Sequence, residues 1–318
     1  MHLAQSKLLL MKHSKNPLAR ASFLVVHKWQ LLLMFALPFI WYLVFCYFPM
    51  YGIQIAFRNY IPRKSFDAGT WVGLKHFARF FSSYNAWPAI GNTLSINLGC
   101  LLIGFPAPIL LAILLNQIRS NSYKKLVQNI TYIPYFLSIV VVVSMLKLFT
   151  DQQYGVFNVI IRTLGGTPMP FMESDKFAQP MYVLSNVWQN MGWNAIIYIA
   201  ALAGIDPTLY EAATIDGASR LKKILHVSIP GISSTIITLF ILRIGQLLTI
   251  GFEKALLMQN NLNMGALEII STLVYKIGIQ QGDYSYAAAV GLMNSIANLI
   301  LIFVANITCK RVFQESLW

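Results

Sequence analysis

Six apolar stretches, at about residues 29–48, 93–115, 126–149, 181–203, 233–250 and 286–307, each approach or exceed the ~20 residues a helix needs to cross a bilayer. Only 11% of the 318 residues are charged and 57% are hydrophobic, against roughly 25% charged in soluble domains. Six such stretches leave room for one membrane domain and little else. The chain reads as all-α and polytopic, with six transmembrane helices and no evident internal repeat. It divides into a basic segment (1–28), a membrane domain (29–308) and a short tail (309–318).

The net charge of +13 raises nucleic acid as a partner, but its distribution argues against one. Lys7, Lys12, Lys15, Arg20 and Lys28 precede the first span without one acid. Arg119, Lys124 and Lys125 lie between the second and third spans, and Lys310 and Arg311 follow the last. Lys and Arg gather on the cytoplasmic side of membrane proteins. The pattern predicts a multi-pass chain with both termini cytoplasmic. The apolar patch at 8–11 is too short for a cleaved signal. One outer segment, 50–90, departs from the rule, with Arg58, Arg63, Lys64, Lys75 and Arg79 against Asp67. Such a surface would attract an acidic sugar or the acidic face of a docked protein. Trp71, Phe77, Phe80, Phe81 and Trp87 would lay part of it along the membrane.

No chemistry of bond-breaking is visible. Cys46, Cys100 and Cys309 are widely spaced and odd in number, giving neither a metal template nor a disulfide framework. The five histidines, His2, His13, His27, His76 and His226, are dispersed, and no phosphate-binding Gly-x-x-x-x-Gly-Lys-Ser/Thr loop occurs. The chain is expected to bind no metal, to be no enzyme and to draw energy from elsewhere. An ATP-independent secondary transporter of a polar solute is the alternative, and it would need intramembrane carboxylates or inverted repeats, neither of which is evident.

The spans carry polar residues where hydrocarbon makes them costly. Asn186, Asn190 and Asn194 recur every four residues and share one helical face, bordered by Gln189 and Trp193. Amides on that face could bond sugar hydroxyls while Trp193 stacks on a pyranose ring. The alternative is interhelical hydrogen bonding, which averages only ~0.6 kcal/mol in membranes. Arg243 interrupts the fifth stretch, with Glu253 as a possible partner. Asn294 and Asn298 mark one face of the sixth. Gly104, Pro106 and Pro108 predict a kink in the second stretch, and Pro134 stands near the start of the third.

Between the fourth and fifth stretches lies a polar interlude, 206–231, that reads as a folded elbow. Asp206 is suited to cap a helix and Pro207 to its first position. Gly217 can adopt a left-handed conformation and end that helix. A second helix over 218–229 would turn Leu221, Ile224, Leu225 and Ser228 to one side and Arg220, Lys222 and Lys223 away.

Glu211-Ala212-Ala213 followed by Asp216-Gly217-Ala218 and an apolar stripe ending at Pro230 resembles the EAA loop of permease subunits in binding-protein-dependent ABC importers. Outside the elbow, Pro49-Met50-Tyr51-Gly52, Trp71-Val72-Gly73-Leu74, Asn92-Thr93-Leu94 and the closing Leu317-Trp318 resemble the polysaccharide and oligosaccharide branch, which includes importers of acidic sugars such as alginate fragments. The resemblance implies the type I importer permease fold in a bacterial inner membrane. It makes the elbow (206–230) a cytoplasmic coupling loop that docks on an ATPase. Glu211 would then make a polar contact, Ala212 and Ala213 would permit close approach, Gly217 would form the turn and Asp216 would cap the second helix, with Ala218 and Arg220 alongside. It also implies a second permease completing a heterodimer, two ATPase subunits holding ATP and Mg, and a solute-binding protein.

Overall fold

The computed structural model describes residues 29–317, so the basic segment 1–28 and Trp318 lie outside the described residues. The chain divides into two compact units. Nearly all regular structure is helical; the only strands among the described residues, β1 (Arg58–Asn59) and β2 (Thr70–Trp71), are two residues each.

The first unit comprises residues up to 55 together with 60–70. α1 (Trp29–Tyr42) runs on through a π turn, Leu43–Tyr47, into a 3-10 segment, Phe48–Phe57. The apolar run is therefore 29 residues long and ends at Phe57, well past the expected aromatic stop at 48. None of Trp29–Tyr47 is buried. Aromatic residues stack along the helix at i, i+4, with ring centroids 5.5 Å apart for Phe35 and Phe39 and 5.7 Å for Trp41 and Phe45.

The second unit holds the other five apolar stretches. α2 (Lys75–Ser82) leads into α3 (Ala86–Leu102) and α4 (Pro106–Gln117), which together make one span of 32 residues. The predicted kink falls between them. A Cβ at Gly104 would run into the Cys100 carbonyl, so the bend needs a residue without one. The third stretch departs from expectation. α5 (Asn121–Tyr132) continues as a 3-10 turn, Ile133–Phe136, and then breaks, with α6 (Ile139–Thr150) leaving at 101°. Pro134 opens the 3-10 turn, and Ser138 caps α6 by accepting from Val141 N at 3.3 Å. Neither half alone passes as a straight span.

α7 (Val156–Thr163) lies in the following connection. The fourth stretch is α8 (Asp175–Ala203), a helix of 29 residues, about 43 Å long. The elbow follows as α9 (Pro207–Ile215), α10 (Arg220–Lys223), a π turn (Ile224–Ser228) and α11 (Ile229–Gly231). The chain bends by 71° entering α9, and by 62° passing from Arg220–Gly231 into α12 (Ser233–Ile244). The fifth stretch thus stops as helix at Ile244, before the predicted 250. α13 (Phe252–Met258), α14 (Met264–Leu267) and α15 (Ile270–Tyr275) precede α16 (Tyr284–Phe313). α16 runs five residues into the segment expected to be tail. Gln314 then turns at φ +57°, and Leu317 N comes back to donate to Asn306 Oδ1 at 2.8 Å.

The largest correction concerns 251–285, which reads in the sequence as an outer connection mixing Asn-rich turns at 260–263 with a short helix over 266–275; helix does form at Met264–Leu267 and Ile270–Tyr275, but the segment is buried. Ala255, Met258, Leu267 and Ile269 are fully buried there, packed with Tyr182, Ala178 and Ile96 from α8 and α3. Such irregular backbone can be buried only if its polar groups find partners. Asn263, itself fully buried, donates from Nδ2 to the carbonyls of Met172 (2.8 Å) and Met258 (3.0 Å). Asn92 Nδ2 reaches the carbonyls of Gly265 (2.7 Å) and Glu268 (2.9 Å), and Gln179 Nε2 reaches Ala266 O at 2.9 Å. Thr93 Oγ1 accepts from Ile270 N at 3.0 Å. Side-chain amides on α3 and α8 thus replace the hydrogen bonds that a continuous helix would have made.

α8 packs closest to α5 at Gly192, where any Cβ would collide with the Thr131 carbonyl. Gly192→Ala should cost about 1–3 kcal/mol through forced separation of the two helices. Gly91→Ala, facing open space on α3, serves as the control. Thermal unfolding of the purified membrane assembly checks this: Gly192→Ala lowers the midpoint and Gly91→Ala leaves it unchanged or slightly higher.

Candidate functional site

Two places concentrate the singled-out residues: the elbow and a cavity beside α8. In the elbow, the Asp206 carboxylate accepts from Thr208 N at 2.9 Å and caps α9, with Pro207 first in the helix. Hydrogen bonds from the Thr208 backbone and hydroxyl hold the Asp206 carboxyl below its ordinary pKa. Glu211, Ala212 and Ala213 lie on α9, no residue of which is buried. The helix ends as the resemblance implies: Gly217 has φ +72°, and Ala218 N bonds back to Ala213 O at 2.9 Å.

The second limb differs. Asp216, expected to cap the second helix, terminates the first, its N–H donating to Ala212 O at 3.0 Å. Ser219 takes the capping position, accepting from Lys222 N at 3.4 Å, so the helix starts at Arg220 and not at 218. The π turn at 224–228 then changes the rotation per residue. As a result Leu221 and Leu225 face out, at 65% and 49% exposure, while Ser228 is buried. Lys223 does not turn away but donates to Thr214 Oγ1 at 2.7 Å. Tyr210 and Ser228 hydroxyls meet at 3.0 Å. These two bonds brace limb against limb. At the tip, Ile215 is 87% exposed, and with Leu209, Leu221 and Leu225 it leaves an apolar surface on a polar segment.

The cavity, of about 870 Å³, lies entirely within the second unit and is bordered by α3, α8, α12, α13 and the break after α5. Asn186, Gln189, Asn190, Trp193, Asn194 and Arg243 all line it. Within the ladder, Asn190 Nδ2 donates to Asn186 O at 2.8 Å and to its Oδ1 at 3.1 Å, and Asn186 Nδ2 reaches Cys100 Sγ at 3.6 Å. Gln189 Nε2 donates to Leu137 O at 3.2 Å, serving the break in the third stretch. Trp193 already has a partner for one face: the Tyr135 ring stacks on it at 4.5 Å and 4°. Phe136 packs against the same indole at 5.7 Å and 83°, so only the part of Trp193 that these two rings leave open can meet a ligand.

Asn294 and Asn298 are not part of this lining. Asn298 accepts from Leu248 N at 3.0 Å and donates to Thr249 Oγ1 at 2.9 Å, while Asn294 Nδ2 donates to Leu248 O at 3.2 Å. They hold the non-helical turn after α12, a role in interhelical bonding. Arg243 and Glu253 both border the cavity but make no ion pair with each other. Residues that sequence reasoning missed also line it, among them Asn97, Tyr182, Gln246 and Lys254. Lys254 was hidden because its segment read as an outer connection.

The basic outer segment is less free than its composition suggested. Arg79 forms an ion pair with Asp283 and lies 5.1 Å from the Tyr286 ring centroid. Arg58 sits 5.6 Å over Trp71. Phe80, expected near the membrane surface, is fully buried, whereas Trp71 and Trp87 are exposed. No group of three or more His, Cys, Asp or Glu side chains suited to a metal occurs among the described residues.

Residues 104–314 match the family described as binding-protein-dependent transport system inner membrane component. The chain is similar to Protein LplB of Bacillus subtilis, 42% identical over 92% of this chain and 91% of that one. It is also similar to the polygalacturonan/rhamnogalacturonan transport system permease protein YteP of the same organism, 42% identical over 88% and 87%. Among solved structures, a chain of a bacterial alginate ABC transporter in complex with alginate pentasaccharide-bound periplasmic protein superposes with a TM-score of 0.85 at 35% identity, covering 92% of this chain and 98% of that one.

Space around Gly217 is open, so a side chain there meets only backbone strain. Gly217→Ala should cost about 1–2 kcal/mol in the elbow alone. Amide hydrogen exchange over 207–223 should quicken roughly tenfold while α8 and α12 are unchanged.

Proposed function

This chain belongs to the family of binding-protein-dependent transport system inner membrane components, and from that premise we propose that it is the permease subunit of an ATP-driven importer carrying an acidic oligosaccharide. The observation that carries the coupling half is the elbow's apolar tip. Ile215, Leu209, Leu221 and Leu225 are exposed on a segment that also carries Glu211, Asp216, Arg220, Lys222 and Lys223. Exposed apolar side chains with a polar rim fit a groove on another protein. Glu211 beside them supplies a polar contact, and Ala212 and Ala213 let backbones approach. The partner is an ATPase subunit holding ATP and Mg; this chain itself binds no cofactor and catalyses nothing.

The assembly has a second, non-identical permease, two ATPases and a solute-binding protein. Both termini and the elbow face the cytoplasm at a bacterial inner membrane, a reading supported by the positive flanks of the spans. Nucleotide and loaded binding protein bias a two-state rearrangement that opens the cavity to one side and then the other. The amide ladder of α8 bonds sugar hydroxyls along that cavity. Support for an oligosaccharide comes from the relatives' names, and for an acidic one from the alginate system, named for an acidic polysaccharide.

Ile215→Asp puts a charge where an apolar groove would close, costing about 2 kcal/mol of docking, roughly thirtyfold. In the reconstituted complex, Ile215→Asp and Glu211→Lys should lose binding-protein-stimulated ATP hydrolysis and uptake together. Full stimulation in both would sink the coupling role. Asn190→Leu and Trp193→Ala should instead lower uptake about tenfold or more while assembly and basal ATP hydrolysis persist; unchanged uptake would return those side chains to helix packing alone.

A further inference from the structure

The cavity wall contains a charge arrangement that folding does not explain. Lys254, the third residue of α13, is only 3% exposed, and its Nζ is sealed from water without a hydrogen-bond partner. It lies over the face of Tyr182, 5.1 Å from the ring centroid. The Tyr182 hydroxyl is engaged with Gly251 O at 3.2 Å. Arg243, half-buried on α12, borders the same cavity and also lacks an acidic partner. Glu253 is the sole carboxylate on the lining, and it is exposed at the start of α13, paired with neither cation.

A buried ammonium normally finds a counter-ion, because losing its hydration is costly and a ring face returns only part of that. Among the described residues neither cation has one, although the fold supplies acids elsewhere: Asp283 pairs with Arg79 and Glu268 with Lys276. Two uncompensated cations beside a cavity with low-dielectric walls produce a focused positive potential. The remaining lining is rich in amides and aromatic rings, suited to hydroxyls and pyranose faces.

We propose that Lys254 and Arg243 form a cationic wall that selects carboxylate-bearing oligosaccharides inside the membrane, after the binding protein has released them. This rests on the importer reading above and adds to it the residues that read the charge. Because Nζ is sealed, Lys254 acts through the field in the cavity and not by direct contact. Tyr182 holds the ammonium in place. Neutral sugars gain nothing from the wall.

The test reads the field separately from transport. In the assembled complex in nanodiscs, Cys46, Cys100 and Cys309 are replaced by Ser and Asn186→Cys is introduced, about one helical turn from Tyr182. Labelling rates with anionic sulfonatoethyl and cationic trimethylammonioethyl methanethiosulfonate are compared. The anionic-to-cationic ratio should fall about tenfold in Lys254→Met and in Arg243→Gln, and stay within about twofold in Lys254→Arg. With native Asn186 and cysteines, uptake of a uronate oligosaccharide should fall about tenfold in the two neutral variants, recover in Lys254→Arg, and leave sugar affinity of the binding protein unchanged. A ratio indifferent to both neutral substitutions overturns the proposal. So does a fallen ratio with full uptake. A wild-type complex that shows the high ratio yet imports no uronate oligosaccharide would instead overturn the importer reading and leave the cationic wall standing.

Discussion

The need to satisfy every backbone N–H and C=O away from water governs this chain more than any single contact. A membrane domain of uninterrupted helices would meet that need automatically. This one does not, because its helices break at 103–105, 137–138, 232 and 245–251, besides the exposed elbow breaks at 204–206 and 216–219. Each break has its own chemistry. Ser138, Asp206 and Ser219 cap the helices that follow. Asn298 and Asn294 hold the turn at Leu248. Asn158, fully buried, donates to the carbonyls of Thr150, Asp151 and Met169 and accepts from Met169 N at 2.7 Å. The amides of this chain therefore largely serve irregular backbone, and those left over on the cavity lining are the remaining α8 amides with Asn97 and Gln246.

That division explains which residues were legible in the sequence. The elbow could be read because capping is local: Asp206, Pro207 and Gly217 each act on neighbours within four residues, so their identities announce their geometry. The ladder at Asn186, Asn190 and Asn194 could be placed on one face because helical periodicity is likewise local. Asn294 and Asn298 show the same spacing, yet their partners lie some fifty residues away on the turn after α12. Nothing in the spacing separates an amide that lines a cavity from one that closes a turn. The same limit hid 251–285. Its Asn and Gly content matches a surface connection, and its burial depends on Asn92 and Gln179, which are distant in sequence. Asp216 was misplaced for a subtler reason. Both it and Ser219 can cap, and the left-handed turn at Gly217 decides in favour of the residue beyond it.

α8 joins the two places where function concentrates. Its middle turns carry the cavity amides and Trp193; its end, after Gly204, becomes the elbow. The junction is tight: a Cβ at Gly231 would press on Ile205, so the return limb packs directly against the exit of α8. Ile205 also belongs with Tyr198, Leu202 and Ile232 in a shared apolar cluster. Close packing of this kind transmits displacement with little compliance, because interiors are as dense as organic crystals. A push on the elbow would be passed to α8 and α12 together, and both border the cavity. The braces between Tyr210 and Ser228 and between Lys223 and Thr214 keep the two limbs from folding on each other before the push reaches the spans.

Backbone regularity also separates Lys254, which carries charge, from the ladder, which does not. Residues 186–194 sit in regular helix whose backbone needs nothing, so their side chains can face a changing solute at low cost. α13 sits in irregular, buried backbone where Ala255 and Met258 are fully packed. A cation fixed there cannot swing out to follow a passing ligand or be screened by water. As part of the proposed cationic wall it would hold its place while neighbouring helices shift, as sustained selection over a transport cycle requires. A mobile lysine on the ladder would bind each carboxylate it met and slow its release. Placing the charge behind Tyr182, one layer away from the solute, allows attraction without capture.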